Sequence, residues 1–221
     1  MVSMTAEEEE EMIRKFYEGL HISTDPATTY NEQAKVYDQV TSKLQPLWPE
    51  HISEELSDRF HNKDLEGKLV MDMGAGTGLT GESLYEHGFR EIHALDMSSS
   101  MLCEARTKNI YSSIYTHEVT AQPTPFLDDG CYDAVVCGAG IIPNHMNADV
   151  LNEFVRITKT SGYVVFTVCD PGFKLMFMEV ISGLMRDGKV ELLFIELVPY
   201  CLEYQSDCEQ KNAHLITLRV L

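Results

Sequence analysis

Apolar residues recur four apart at Met12, Phe16 and Leu20, which predicts an amphipathic helix over residues 6–20. The segment Thr24-Asp25-Pro26-Ala27-Thr28 reads as a break, and Tyr30, Ala34, Tyr37 and Val40 mark a second helix over residues 29–44. Pro46 and Pro49 are expected to end it, and a third helix is expected over residues 52–61. After Gly67 the pattern changes to short apolar runs, at residues 68–73, 91–96, 113–120, 133–137 and 163–169. Helical stretches separate them at residues 79–87, 98–108 and 149–158. Gly88 closes the first of these, Asp128-Asp129-Gly130 is a turn, and Ser161-Gly162 reads as another. A helix over residues 173–186 follows, then two strands at residues 190–197 and 214–221.

Strands that alternate with helices predict a parallel sheet covered on both faces, because a crossover between parallel strands needs a helix. The last two strands can pair as a hairpin and add an antiparallel strand at the sheet edge. The whole length, 221 residues, fits a single domain, with residues 1–62 as a helical cap and 63–221 as the core.

Composition narrows the partners. Hydrophobic residues make up 44% and charged residues 24%, the balance of a globular chain, and no apolar run reaches a membrane-spanning length. Only 17 Lys and Arg face 35 Asp and Glu, giving a formal charge of −18. That argues against nucleic acid and anionic membranes, both of which are gripped by cations. The acidic run from Glu7 to Glu11 is unlike a leader peptide, so the cytoplasm is the expected compartment. Six cysteines without a C-x-x-C pair, and histidines without H-x-x-x-H spacing, point to reduced thiols and no metal site.

The strongest chemical signal is Asp72-Met73-Gly74-Ala75-Gly76-Thr77-Gly78, between a strand and a helix. Glycines there allow a sharp turn and close approach of a ligand, and the following helix offers N–H groups to it. Asp96 ends the next strand, 18 residues after Gly78, where a carboxylate can accept from both hydroxyls of a ribose. The pair suits a dinucleotide as well, since Gly76, Gly78 and Gly81 match G-x-G-x-x-G. Against a nicotinamide oxidoreductase stand the extra Gly74 and the short remainder of the chain, which leaves little room for a substrate domain.

Taken in order, this loop, Leu95-Asp96-Met97-Ser98, Pro125-Phe126 before Tyr132-Asp133-Ala134-Val135-Val136, and Ser161-Gly162-Tyr163-Val164 resemble the motif series of class I S-adenosylmethionine-dependent methyltransferases. The resemblance implies a Rossmann-like, seven-stranded, mostly parallel α/β sheet with an antiparallel last strand, helices on both faces and an N-terminal helical cap. It implies S-adenosylmethionine as cofactor, S-adenosylhomocysteine as product, and a small-molecule acceptor, with a protein side chain as the lesser alternative. It assigns Gly74, Ala75, Gly76 and Gly78 to the loop around the methionine moiety, Asp72 to orienting it, Asp96 to the ribose and Met97 to the adenine. Thr120 and Ala121 fall where the family meets the adenine edge, without the usual acidic residue, and Cys137 and Gly138 would flank the methionine moiety. Tyr30 and Tyr37 lie in a Tyr-x-x-x-Ala-x-x-Tyr-Asp segment similar to a lid over the cofactor; packing aromatics seven apart would look the same.

For catalysis the best-placed titratable residue is His145, in Pro143-Asn144-His145 after the fourth strand. That segment lacks the Pro-Pro-Tyr of enzymes that methylate planar amines, and no Pro-Cys pair supports carbon methylation of cytosine. Asp170 has no partner acid evident for a metal. A cofactor-binding protein without catalysis is the remaining alternative.

Overall fold

The computed structural model describes residues 25–61, 63–141, 146–169, 171–202 and 212–221, together with Glu11, Ile13 and Phe16, which are helical. Helix α1 spans Pro26–Ser42, three residues earlier than the apolar pattern indicates. The expected break is itself the helix start: the Asp25 carboxylate accepts from the Thr28 N–H at 3.2 Å, and Pro26 occupies the first turn, where its missing N–H costs nothing. Helix α2, Trp48–Arg59, likewise carries Pro49 in its first turn, so that proline opens this helix instead of ending the one before. Of the first expected helix, Met12 and Leu20 lie outside the described residues, while Ile13 and Phe16 pack against Val40 of α1.

The core alternates as expected: β1 (Leu69–Met73), α3 (Leu79–Glu86), β2 (Glu91–Asp96), α4 (Ser99–Thr107), β3 (Ser113–Thr116), β4 (Tyr132–Cys137), α5 (Val150–Ile157), β5 (Thr158–Val168) and α6 (Pro171–Arg186). The chain finishes with β6 (Val190–Pro199) and β7 (Asn212–Val220). The seven strands are ordered β3-β2-β1-β4-β5-β7-β6. Strand β7 runs antiparallel to both neighbours, for example Val168 opposite His214 and Leu197 opposite His214. The reversed strand therefore lies inside the sheet, and β6 forms the edge, a correction to the expected placement. An antiparallel hairpin can insert this way because its two strands need only a short return, whereas parallel neighbours need a helix.

Two other expectations change. Strand β3 stops at Thr116 instead of residue 120, because it is an edge strand paired on one side only. Ser161-Gly162 is not a turn but an irregularity within β5, with Ser161 at φ 69° and the ladder to β4 shifting register between Tyr132 and Ala134. A side chain at Gly162 would come within 2.6 Å of the Asp133 carbonyl, so the two strands can approach only over glycine.

The sheet buries apolar side chains on both faces. Met71, Met73, Val164, Phe166 and Ile216 pack under α5 and α6, with Phe154 and Phe177 fully buried. On the opposite face Val70, Ile92, Val165 and Leu215 meet Leu84 of α3 and Ile52 and Leu56 of α2. Both faces being covered explains why the strands read as unbroken apolar runs. It also leaves the carboxyl ends of β1, β2 and β4 as the open rim.

Candidate functional site

The glycine turn after β1 folds back on itself. The Gly74 and Ala75 N–H groups both donate to the Leu95 carbonyl, at 2.8 and 3.1 Å, and the Gly78 N–H donates to the Ala75 carbonyl at 2.8 Å. The Gly76 N–H donates to Asp96 Oδ2 at 2.9 Å. These amides hold the turn itself, while the turn and Leu79 and Thr80 at the start of α3 line the cleft together. Glycine at 74 is favoured by its backbone, with φ at +67°, and a Cβ there would also crowd Met146 Cε.

Asp72 lies beneath the turn, 1% exposed, and accepts from the Tyr111 hydroxyl at 2.7 Å. Burial pushes its carboxyl up to about 7, partly opposed by that hydrogen bond, and its Oδ1 has no partner. Tyr111 fills the space over Gly81, where a Cβ would meet its hydroxyl at 2.1 Å. Sequence reasoning missed Tyr111, because nothing in its neighbourhood marks it as the partner of a residue 39 positions away.

Asp96 stands at the carboxyl end of β2 on the wall of the cleft. Its second oxygen accepts from the Ser98 N–H at 2.8 Å, so both oxygens are oriented while each keeps a lone pair for a ligand. Burial raises its carboxyl above the usual range, against the pull of the backbone N–H groups of Ser98, Gly76 and Met97.

Helix α1 closes one side. Asn31 Oδ1 accepts from Ser98 Oγ at 2.8 Å and from the Ser100 N–H at 3.0 Å, across the start of α4. Asp38 accepts from the Thr77 hydroxyl in the glycine turn and pairs with Lys108 Nζ at 3.1 Å. Tyr30 and Tyr37, ring centroids 6.3 Å apart, line the cleft and also pack on Ile13, Phe16 and Val40, so the lid and packing roles coincide in one pair of rings. Burial pushes the Tyr37 phenol up to about 12, keeping it neutral.

Together these residues bound a cleft, partly open to solvent, that also takes in Gly74, Ala75, Gly76, Met97 and Met146. A sequence-family model described as a methyltransferase domain matches residues 70–162, which contain the glycine turn, Asp96 and β4. This stretch is a methyltransferase domain, consistent with a class I S-adenosylmethionine-dependent methyltransferase. The interior, reversed β7 agrees with this family and departs from the parallel order of dinucleotide-binding sheets, which sets the oxidoreductase alternative aside.

The methyltransferase domain is similar to human methyltransferase-like protein 27, with 26% identity over 115 residues, 52% of this chain and 46% of that protein. It is also similar to a ubiquinone biosynthesis O-methyltransferase of Sodalis glossinidius, at 26% over 142 residues, 63% of this chain and 54% of the relative. The chain thus spans about half the length of these curated relatives. Among solved structures, magnesium protoporphyrin IX methyltransferase from Synechocystis with bound S-adenosylmethionine superposes with a TM-score of 0.59 at 12% identity. That match covers 98% of this chain and 99% of the other, and it shows the shared fold.

The methyltransferase domain does not bring every expected residue to the cleft. Thr120 and Ala121 are exposed and absent from its lining, because β3 ends before them. Gly78 caps α3 under Tyr111, and Cys137 is buried beneath Gly74 and Gly140, so both support the lining without forming it. Gly138 packs behind it, against Thr80 and Trp48. His145 and Asp170 lie outside the described residues. Among the described residues, no three His, Cys, Asp or Glu side chains are grouped to hold a metal, and no helix is long and apolar enough to cross a membrane. Trp48, Thr77, Met101 and Met146 line the cleft and were not anticipated. Trp48 had no signal beyond being the chain's single tryptophan.

Proposed function

We propose that this protein transfers the methyl group of S-adenosylmethionine to a small-molecule acceptor. The observation that carries the reading is Asp96, its carboxylate fixed by the N–H groups of Gly76 and Ser98 at the wall of a cleft floored by the glycine turn. The residues fit the cofactor: beside the glycine turn that floors the cleft, Asp96 presents free lone pairs where a ribose edge would lie. When bound, S-adenosylmethionine supplies an electrophilic methyl on a sulfonium. Asp96 would accept from its ribose hydroxyls, Met97 would pack on the adenine, and Tyr30 and Tyr37 would cover it and exclude water. Fixing the two reactants in line is then the main task, a contribution of roughly 7–11 kcal/mol to lowering the barrier.

A small-molecule acceptor is supported by relatives named for ubiquinone biosynthesis and by the scarcity of Lys and Arg that nucleic acid would require. Where the acceptor must lose a proton, His145 is our candidate base, and His145→Ala would lower kcat with cofactor affinity unchanged. Thiols at Cys103, Cys131 and Cys137 support a reducing, cytoplasmic setting. Calorimetric titration with S-adenosylhomocysteine tests the core of the reading. Asp96→Ala is expected to weaken binding roughly ten- to a hundredfold, the worth of a charge-assisted hydrogen bond. Undiminished affinity in that variant, or binding of NAD in place of S-adenosylhomocysteine, would overturn it.

A further inference from the structure

Trp48 is the only tryptophan in the chain, and at 4% exposure its indole still lines the cleft. One face stacks on Tyr200, ring centroids 4.5 Å apart and planes at 22°. Its pyrrole edge abuts Gly138 just past β4: a Cβ at that glycine would stand 2.9 Å from Trp48 Cδ1 and 2.4 Å from Thr80 Oγ1. Ala139 and Gly140, the next residues, line the cleft. Trp48 therefore stands where the cleft passes from the glycine turn toward the far side of the sheet.

Its position is fixed from both sides. The Leu47 N–H donates to the Tyr200 carbonyl at 2.9 Å, and the Leu202 N–H donates to the Gln45 carbonyl at 3.1 Å. Pro46 bridges to Cys201, and His51 Nε2 lies 3.0 Å from the Pro199 carbonyl. The entry to α2 is thus sewn to the extension of β6, an arrangement a core helix does not need. Beyond it, Leu197 and Leu202 are 55% and 63% exposed on the same stretch that carries Tyr200.

Charge completes the picture. The described lining of the cleft holds one carboxylate, Asp96, and no Lys, Arg or His. Lys108 is taken by Asp38 and Glu82. Among the described lining residues an anionic acceptor meets only the carboxylate of Asp96, in a chain of charge −18, whereas an uncharged ring meets aromatic and apolar walls.

We infer that Trp48, backed by Tyr200, forms a wall of the acceptor subsite, and that this subsite takes a flat, uncharged aromatic molecule. The inference rests on the methyltransferase reading above and names the acceptor class that reading leaves open. Trp48 acts here by shape and stacking, as a specificity-determining residue.

The single tryptophan makes the test direct, because fluorescence excited beyond the absorption of the ten tyrosines reports on this wall alone. With S-adenosylhomocysteine saturating, methyl 3,4-dihydroxybenzoate is titrated against 3,4-dihydroxybenzoate, two probes that differ by a methyl and a charge. The ester is expected to quench Trp48 at a concentration at least tenfold below that needed for the acid. Tyr200→Leu should raise the ester's half-saturation at least fivefold and Tyr200→Phe should restore it, both with S-adenosylhomocysteine affinity within twofold of wild type. Equal or tighter binding of the acid, an ester that leaves the fluorescence unchanged, or a Tyr200→Leu variant indistinguishable from wild type would overturn the inference while the cofactor reading stands. Failure of S-adenosylhomocysteine itself to bind would bring both down.

Discussion

Helices α1 and α2 are neighbours in the chain and both border the cleft, yet they are held by different forces. Helix α2 belongs to the core: Ile52 and Leu56 are wholly buried among Val70, Leu84, Phe89 and Val165, and Glu55 accepts from the buried Thr217 hydroxyl at 2.7 Å. Helix α1 buries Ala34, Val40 and Thr41 and otherwise grips the site through Asn31 and Asp38, polar contacts near the surface. A helix fixed by core packing leaves its place only when the domain unfolds, while one fixed mainly by a few polar contacts can open locally. The same cleft thus has one wall packed into the core and one held largely by polar contacts.

The largest effect expected from this contrast is in α2. Replacing Ile52 by Ala removes buried methylenes and leaves a cavity against Val70 and Leu84, a loss of about 2–5 kcal/mol. Urea unfolding measures it, and a loss under about 1 kcal/mol would place α2 on the same footing as α1.

Both helices were legible as amphipathic segments, but which of them is core was not. The apolar spacing at Tyr30, Ala34, Tyr37 and Val40 looks no weaker than that of α2, and periodicity reports a buried stripe without saying what it meets. The strand and helix order from Leu69 to Cys137 was readable because each element there is buried on a consistent face and bounded by glycine or a cap. Asp96 and the glycine turn were readable because turn geometry demands those residues. Thr120 and Ala121 were misplaced because edge-strand length is set by pairing, which sequence does not state. Trp48, Tyr111 and the Asn31 and Asp38 contacts are long-range juxtapositions, fixed by tertiary packing and carried by no local pattern.

A second effect, spread over a pH range, sharpens the contrast through two carboxylates. Asp38 is half-exposed beside Lys108, whereas Asp72 is sealed inside the core under the glycine turn. Burial raises the Asp72 carboxyl from 3.8 to about 7 in the folded protein. The native state therefore holds a proton that the unfolded chain has already released. Its stabilising contribution is complete below about pH 4 and is lost as pH rises toward 7, by an amount on the order of 4 kcal/mol. Asp72→Asn keeps a hydrogen-bond acceptor for Tyr111 and cannot ionise, so its unfolding midpoint should stay flatter across that range. Parallel pH profiles for the two proteins would show that burial of Asp72 contributes nothing to the slope.

The smallest effect on stability, and the most telling for function, is expected in α1. Asn31 and Asp38 join it to Ser98, Ser100, Thr77 and Lys108, the residues that flank Asp96 and the glycine turn. Polar contacts of this kind contribute about 1 kcal/mol each, so the double variant Asn31→Ala and Asp38→Ala should lose less stability than Ile52→Ala. What it loses is the latch: with Tyr30 and Tyr37 no longer held over the cleft, S-adenosylhomocysteine should dissociate about tenfold faster, equivalent to roughly 1.4 kcal/mol. Stopped-flow displacement measures that rate. Raising the salt concentration should speed release from wild type by weakening the Asp38–Lys108 pair, and should leave the double variant nearly unaffected. If instead the variant unfolds as readily as Ile52→Ala, the polar contacts carry the helix itself, and the distinction between a packed wall and a latched one disappears.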